Sequence, residues 1–455
     1  MPALRSLSAS PENPVSALLR DEAERFLKTH PRSVALAGQS AAHWRGGVPM
    51  HWMNDWASPS PIFAAEAKGA RITDVDGLTY DDFCLADTPS MFGHAPPALV
   101  SALAAQAAKG LGYMLPTEMG IEVGALLAER FGLPLWQTAV TATDANRAAL
   151  RWARAITGRR RILVFDGCYH GMVEETFLTT AGAKPGLIGQ AVDPASTAVA
   201  VPFNDIRALE AALEGGDIAA VLAEPVMTNC GMIEPLPGFH AALRDLTRRH
   251  GTLLILDETH TLSSGPGGYA RAHGLEPDIL TLGKAIAGGV PAAVWGVTAE
   301  VAARMDEAQR RAGAGSSGIG TTLSGNALSL AAMRAMLAEV MTAEAFDRML
   351  AGADRLVGVL RGAIARRSLP WCVVRAGARV ELVFAATPPR DAQAMRRVLD
   401  HDLLEAFHLY LINRSVLIAP FHNMMLVSPV TADEQIDRLV CAVDDFAGAL
   451  ESRRP

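Results

Sequence analysis

Between about residue 138 and residue 300 the chain repeats one pattern: a short continuous apolar run, then a segment with helical periodicity. The runs include RILVF from 161, AVAVPF from 198, AAVLAEPVM from 219, TLLILDE from 252 and AAVWGV from 292. A strand with one wet face alternates polar and apolar residues, whereas a strand that is apolar throughout needs cover on both faces. Intervening stretches such as GFHAALRDLTRRHG supply that cover. The pattern therefore predicts an α/β core, a mainly parallel central sheet flanked by helices.

The pattern changes at both ends. Residues 1–85 carry Trp44, Trp52 and Trp56, then GARITDVDGLTYDDF, which alternates like a hairpin about Asp76-Gly77. Beyond about residue 327, an Ala/Leu/Met-rich helical stretch precedes strand-like RVELVF and NMMLVSPV and a last amphipathic helix. The two ends are expected to form one smaller α+β lobe. That reading divides the chain into an N-terminal segment of the lobe (1–85), a large α/β domain (86–330) and a C-terminal part of the lobe (331–455).

A net charge of −7 leaves no basic excess for phosphate backbones, so nucleic acid is not an expected partner. The basic run Arg159-Arg160-Arg161 follows Gly158 at an apparent helix end and reads as a solvated turn. The five cysteines form no CxxC pair, which suggests neither a disulfide framework nor a zinc site and suits a reducing cytoplasm. The N-terminus lacks the apolar core of a signal peptide and no apolar stretch is long enough to cross a bilayer, so no membrane association is expected.

Asp257 follows four apolar residues, which places its carboxylate at the carboxyl end of a buried strand, where open α/β sheets bind ligands. It is either a helix cap, a core ion pair or a functional acid. Lys284 follows the next such run, ILTLG, and so reaches the same sheet edge. A lysine there is a surface charge or, held among apolar walls, a nucleophile able to form a Schiff base. Gly288 and Gly289 beyond it permit a tight backbone. TATDANRAAL (141–150) runs from a strand into a helix start whose amides and Thr hydroxyls form either a plain cap or a phosphate cradle, and GTTLSGN (320–326) has the same two readings.

In order, TATDA, YHG (169–171), EPV (224–226), LDETHT (256–261), TLGKAIAGG (281–289) and TTLSGN (321–326) resemble the class III aminotransferases of the pyridoxal-phosphate fold type I superfamily. Within that family the chain is most similar to the branch of glutamate-1-semialdehyde aminomutases and β-amino-acid transaminases, over about residues 45 to 445. The resemblance implies pyridoxal 5′-phosphate held by Lys284 as a Schiff base, with Asp257 on the pyridine nitrogen. It places Tyr169 and His170 of YHG, and Thr259, against the cofactor ring. Thr141, Ala142 and Thr143 fall in the phosphate loop, and Glu224 and His260 beside the cofactor. Thr322 matches a threonine that reaches the phosphate from the neighbouring subunit, which implies a homodimer with shared active sites. No metal site is implied.

The chain departs from the family pattern at Ala142, Thr259 and His260, where the family usually has glycine, valine and Gln or Met. LIAPFHNMML also lacks the arginine with which several ω-transaminases hold a substrate carboxylate. Arg379, with Arg414 behind it, is either the substitute or a surface arginine, and Trp52 either a pocket wall or a packing residue. The activity implied is ping-pong transfer of an amino group from a β-amino acid or amine donor to a keto acid or aldehyde. The alternative is intramolecular transfer by a glutamate-1-semialdehyde 2,1-aminomutase. Three rivals are weaker, one of them a non-catalytic binding protein of the same fold, which would be expected to have lost Lys284. GAGSSG (313–318) matches a dinucleotide fingerprint but follows a polar helical stretch instead of a strand. Asp257, Glu258 and His260 suggest a metal-dependent hydrolase without a second regularly spaced ligand pair.

Overall fold

The computed structural model describes residues 13–315 and 317–453. Residues 1–12 of the expected N-terminal segment, Ser316 of GAGSSG and residues 454–455 lie outside the described residues.

The apolar runs assemble into one seven-stranded sheet. Its strands in chain order are β1 (Leu135–Ala139), β2 (Arg161–Phe165), β3 (Ala198–Val201), β4 (Ile218–Ala223), β5 (Leu253–Asp257), β6 (Ile279–Leu282) and β7 (Ala293–Val297). They lie side by side as β1-β7-β6-β5-β4-β2-β3. Every neighbouring pair is parallel except the two made by β7, which runs against β6 and β1. Burial follows position in the sheet. All residues of central β4 and β5 are buried, while the edge strands β1 and β3 are partly open, and β1 carries polar Gln137 and Thr138.

The helix α1 (Ala142–Thr157) crosses this sheet and buries Ala145, Asn146, Ala148, Ala149, Leu150 and Ala153. Its alanines let the helix lie close to the strands, and its N-terminus faces the edge where β5 and β6 end. The chain's two ends then join. Ala64–Lys68, Arg71–Asp74 and Thr79–Asp82 form an antiparallel sheet that Val416–Leu417 extends by pairing parallel to Thr79–Asp82. A second hydrophobic cluster unites Phe26, Tyr80 and Phe83 with Leu360, Phe407 and Phe446, so the smaller α+β lobe is built from both ends. Beside it, Cys372–Ala376, Arg379–Val383 and Met424–Leu426 form a three-stranded antiparallel sheet. Among the described residues no helix is long and apolar enough to cross a membrane.

Phe446, on the helix Asp433–Glu451, is fully buried and its ring lies 5.1 Å from that of Phe407 and 5.4 Å from that of Tyr410. Phe446→Ala should therefore destabilise the protein by about 3–5 kcal/mol, read as a lower urea midpoint with an unchanged slope.

Candidate active site

Asp257 is the last residue of β5, and its Cα is paired in register with Thr281 of β6. Its carboxylate is almost fully buried and both oxygens are hydrogen-bonded. Oδ2 accepts from Asn146 Nδ2 at 2.8 Å and from His170 Nδ1 at 2.9 Å, while Oδ1 accepts from the Thr259 N–H at 3.1 Å and the Thr259 hydroxyl at 2.6 Å. Burial alone would raise its pKa, but the His170 hydrogen bond and charge, with Thr259 and Asn146, hold it down to about 2. His170 responds in kind. Against the burial that would neutralise it, the adjacent Cys168 and the Asp257 carboxylate hold the imidazole pKa up to about 10. Asn146 joins the two strand ends, because its Oδ1 accepts from Thr281 Oγ1 at 2.8 Å.

Lys284 starts the turn that follows β6, and its own φ of 47° lies in the left-handed region that a lysine rarely adopts. Its Nζ donates to Asp87 Oδ2 and to His260 Nε2, both at 2.5 Å. Asp87 sits on an equally unusual backbone: Leu85, Ala86, Asp87 and Thr88 have φ of 49°, 56°, 54° and 103° in succession. Such strain persists only where surrounding contacts enforce it, and it concentrates at functional sites. Burial works against the Asp87 charge, but Lys284 and then His260 hold its carboxyl well below the usual range. His260 is pushed the other way. Burial, then the Lys284 and Arg379 charges, press its pKa down to about 3, so it is neutral at physiological pH. Its Nδ1 lies 2.7 Å from Thr228 Oγ1.

At the helix end, Thr141 caps α1 in a reciprocal box. The Asp144 N–H donates to Thr141 Oγ1 at 3.3 Å, and the Thr141 N–H to Asp144 Oδ2 at 3.1 Å. Capping and anion binding are compatible here, since Ala142 and Thr143 are the first two helical residues, whose N–H groups have no intrahelical partner. Ala142 does not have positive φ, so no glycine is needed at its place. Gly171 is needed: with φ of 79°, a Cβ there would fall on Thr143 Oγ1.

Asp87, His170, Gly171, Asp257, Thr259, His260, Lys284 and the helix start at Thr141, Ala142 and Thr143 line one cavity of about 600 Å³. Trp52 forms part of its wall, its ring 5.7 Å from those of both Tyr169 and Phe421. Of the residues singled out in the sequence, Trp52, Thr141, Ala142, Thr143, Tyr169, His170, Glu224, Asp257, Thr259, His260 and Lys284 meet there. Thr259 does so as a hydrogen-bond partner of Asp257. Three do not. Thr322 is exposed and does not line its own chain's cavity. Arg414 binds Glu22 at 3.0 Å and stacks on Tyr410. Arg379, expected to meet a substrate carboxylate, is instead fully buried behind the wall. Its Nε donates to the His260 carbonyl at 3.2 Å and its Nη2 to Thr88 Oγ1. The register that pairs Arg379 with Leu426 turns it inward, where it ties together the two loops that flank Lys284.

Sequence reasoning missed Asn146, Asp87 and Thr228, and also Lys184, a second cavity lysine whose Nζ donates to the Cys168 carbonyl at 2.6 Å. His422, in the stretch noted only for lacking an arginine, lines the cavity with its Nδ1 2.9 Å from Glu381 Oε2. Glu258 turns away from Asp257 to accept from the Ala270 N–H at 2.8 Å, which leaves no joint metal face with Asp257 and His260. GAGSSG follows the helix Ala299–Ala312, not a strand.

The sequence model of the family described as aminotransferase class-III matches residues 52–443. A glutamate-1-semialdehyde 2,1-aminomutase of Sorangium cellulosum is 35% identical over 432 residues, 92% of this chain and 97% of that protein. The crystal structure of a glutamate-1-semialdehyde aminomutase from Pseudomonas aeruginosa PAO1 is 47% identical with a TM-score of 0.93, covering 96% of this chain and 98% of that one, and a variant has been solved in complex with PMP. A β-phenylalanine aminotransferase from Variovorax paradoxus is 28% identical with a TM-score of 0.87, over 96% of this chain and 98% of that one.

Two outcomes follow from the geometry. The raised pKa of His170 stabilises the fold in full below its ordinary value of 6.5 and loses that contribution as pH rises through about 10. The depressed pKa of Asp257 contributes above 3.8 and is lost as pH falls through about 2. The thermal-midpoint advantage of wild type over His170→Asn should therefore be greatest between about pH 4 and 6.5 and shrink toward pH 10. Arg379→Ala should lower stability by roughly 1–3 kcal/mol for each partner left unpaired, and impair all substrates alike. Steady-state assays would contradict this placement if only carboxylate substrates suffered.

Proposed function

Because this chain belongs to the class III aminotransferases, we propose that it moves an amino group between an amine-bearing carbon and a carbonyl carbon at the Lys284–Asp257 cavity. Pyridoxal phosphate is the cofactor, and it supplies a carbonyl to which amines condense and a ring that absorbs the electrons of the deprotonated carbon. The residues present fit it. Asp257, ionised down to about pH 2, offers a fixed negative charge for a protonated ring nitrogen. The Ala142–Thr143 helix start and the Thr143 hydroxyl suit a phosphate. Lys284 offers the amine and, once displaced, a base for the substrate proton. Tyr169 and Trp52 wall the site and restrict water. The carrying observation is that Asp257 and Lys284, from adjacent strands, open into one cavity.

The relatives support intramolecular transfer on glutamate-1-semialdehyde as the first reading, which reverses the order expected from sequence. An intermolecular transaminase acting on a β-amino acid or amine stands second. It is favoured by a cavity whose lining holds Asp55, Asp87 and Glu224 but, among the described residues, no arginine for a substrate carboxylate. A homodimer completes the proposal. It is supported by the exposed apolar side chains of Leu111, Met114, Leu115 and Ile121, and by exposed Leu323 beside Thr322, a segment tied to the first by the Leu111 carbonyl accepting from the Ala327 N–H at 2.8 Å. The five unpaired cysteines support a cytoplasmic setting.

Protein mixed with pyridoxal phosphate should gain a visible absorbance band that Lys284→Ala lacks. Turnover of glutamate-1-semialdehyde without an external acceptor supports the first reading. Activity only when an amine or β-amino acid is paired with a keto acid selects the second, and a colourless protein refutes both.

A further inference from the structure

From Lys284 an unbroken hydrogen-bond chain runs along the cavity wall to Glu224. Lys284 Nζ is 2.5 Å from His260 Nε2, His260 Nδ1 is 2.7 Å from Thr228 Oγ1, and Thr228 Oγ1 is 2.6 Å from Glu224 Oε2. The far end sets the direction of every hydrogen. Glu224 Oε2 also accepts from the Thr228 N–H at 3.1 Å and Asn229 Nδ2 at 3.0 Å, and Oε1 accepts from the Tyr169 N–H at 3.2 Å. Each of these contacts brings an N–H or O–H donor to a Glu224 oxygen, so the carboxyl group is the acceptor in all of them. The Thr228 hydroxyl hydrogen must then point to Glu224, which leaves an oxygen lone pair toward His260. Hence the network assigns the imidazole proton to Nδ1, and Nε2 presents a bare lone pair to Lys284.

We propose that Lys284, His260, Thr228 and Glu224 are a proton relay through which the lysine passes a proton to Glu224. The proposal rests on the reading of Lys284 as the amine that condenses with a carbonyl, because only a neutral amine adds. As Lys284 Nζ–H passes to His260 Nε2, His260 Nδ1–H passes to Thr228 Oγ1 and the Thr228 hydroxyl proton passes to Glu224 Oε2. Three bonds to hydrogen break and three form. Lys284 and Glu224 end neutral, and His260 ends in its other tautomer.

The surroundings favour this route over the shorter one. Asp87 touches the same Nζ, but its strongly depressed pKa makes it a partner for the ammonium and a poor proton acceptor. His260, pressed down to about 3, does not store the proton and can only pass it on. Two other charged groups face His260: Asp87 Oδ2 lies 3.6 Å from Nε2, beyond hydrogen-bond reach, and Arg379 Nε donates to the His260 carbonyl at 3.2 Å, away from the ring nitrogens. A histidine here, unlike the Gln or Met usual in the family, can accept on one side and donate on the other. His260 and Thr228 act through Lys284 and are positioning residues in this sense.

The test uses cofactor-free protein. Nitrogen-15 NMR of labelled histidine should show His260 neutral at pH 7 with Nδ1 protonated. The rate at which Lys284 condenses with added pyridoxal phosphate, followed by absorbance across pH, should fall at least about tenfold at neutral pH in Thr228→Val, with the profile displaced to the alkaline side. Thr228→Ser keeps the hydroxyl and should match wild type. His260→Gln accepts from Lys284 but cannot relay, so it should behave as Thr228→Val does and carries the test if that variant does not fold. An Nε2-protonated or cationic His260, or relay variants that condense at the wild-type rate, would overturn the relay. Failure of wild type itself to condense would instead overturn the cofactor reading, and the tautomer measurement would still judge the network.

Discussion

Two buried parallel strands that end level with one another are the constraint from which the site follows. With Asp257 paired to Thr281, the carboxylate leaves β5 at the height where β6 turns toward Lys284. A bare carboxylate at that depth would cost several kcal/mol, so the structure surrounds it with His170, Asn146 and both donors of Thr259. Those partners come from three segments: the helix across the sheet, the loop after β2 and the turn after β5. Satisfying one charge therefore fixes the relative placement of most of the cavity wall.

The opposite wall is held by strain and its compensation. Four successive left-handed residues, Leu85 to Thr88, carry Asp87 to Lys284, which is itself left-handed. Arg379 binds Thr88 from behind and the His260 carbonyl beside it, so one buried guanidinium braces both flanks of the lysine. The smaller lobe thus serves the site twice, lining it through Trp52, Phe421 and His422 and bracing it through the strand that begins with Arg379.

How legible the site was in the sequence depended on what kind of signal each residue leaves. Asp257 and Lys284 were visible because continuous apolar runs announce buried strands, and a charge just beyond such a run has few places to go. The sheet was visible for the same reason, although the reversal of β7 was not, since AVWGV reads identically in either direction of travel. Asp87 was invisible: CLADTP contains no glycine to mark its four left-handed residues. Asn146 looked like any polar residue in the first turns of a helix. Arg379 was misplaced because an arginine heading a strand has the same neighbours in sequence whether it faces a cavity or a packed sheet, and only its register with Leu426 distinguishes them.

The central claim is that the amine at the end of β6 carries the cofactor. Lys184 lines the same cavity and provides an internal alternative. Reduction of the pyridoxal-phosphate complex with borohydride, followed by proteolysis and mass spectrometry, locates the attachment directly. One pyridoxyl group per chain, on the peptide containing Lys284, is the expected result. Label on Lys184 in its place, or spread over surface lysines, would contradict the account.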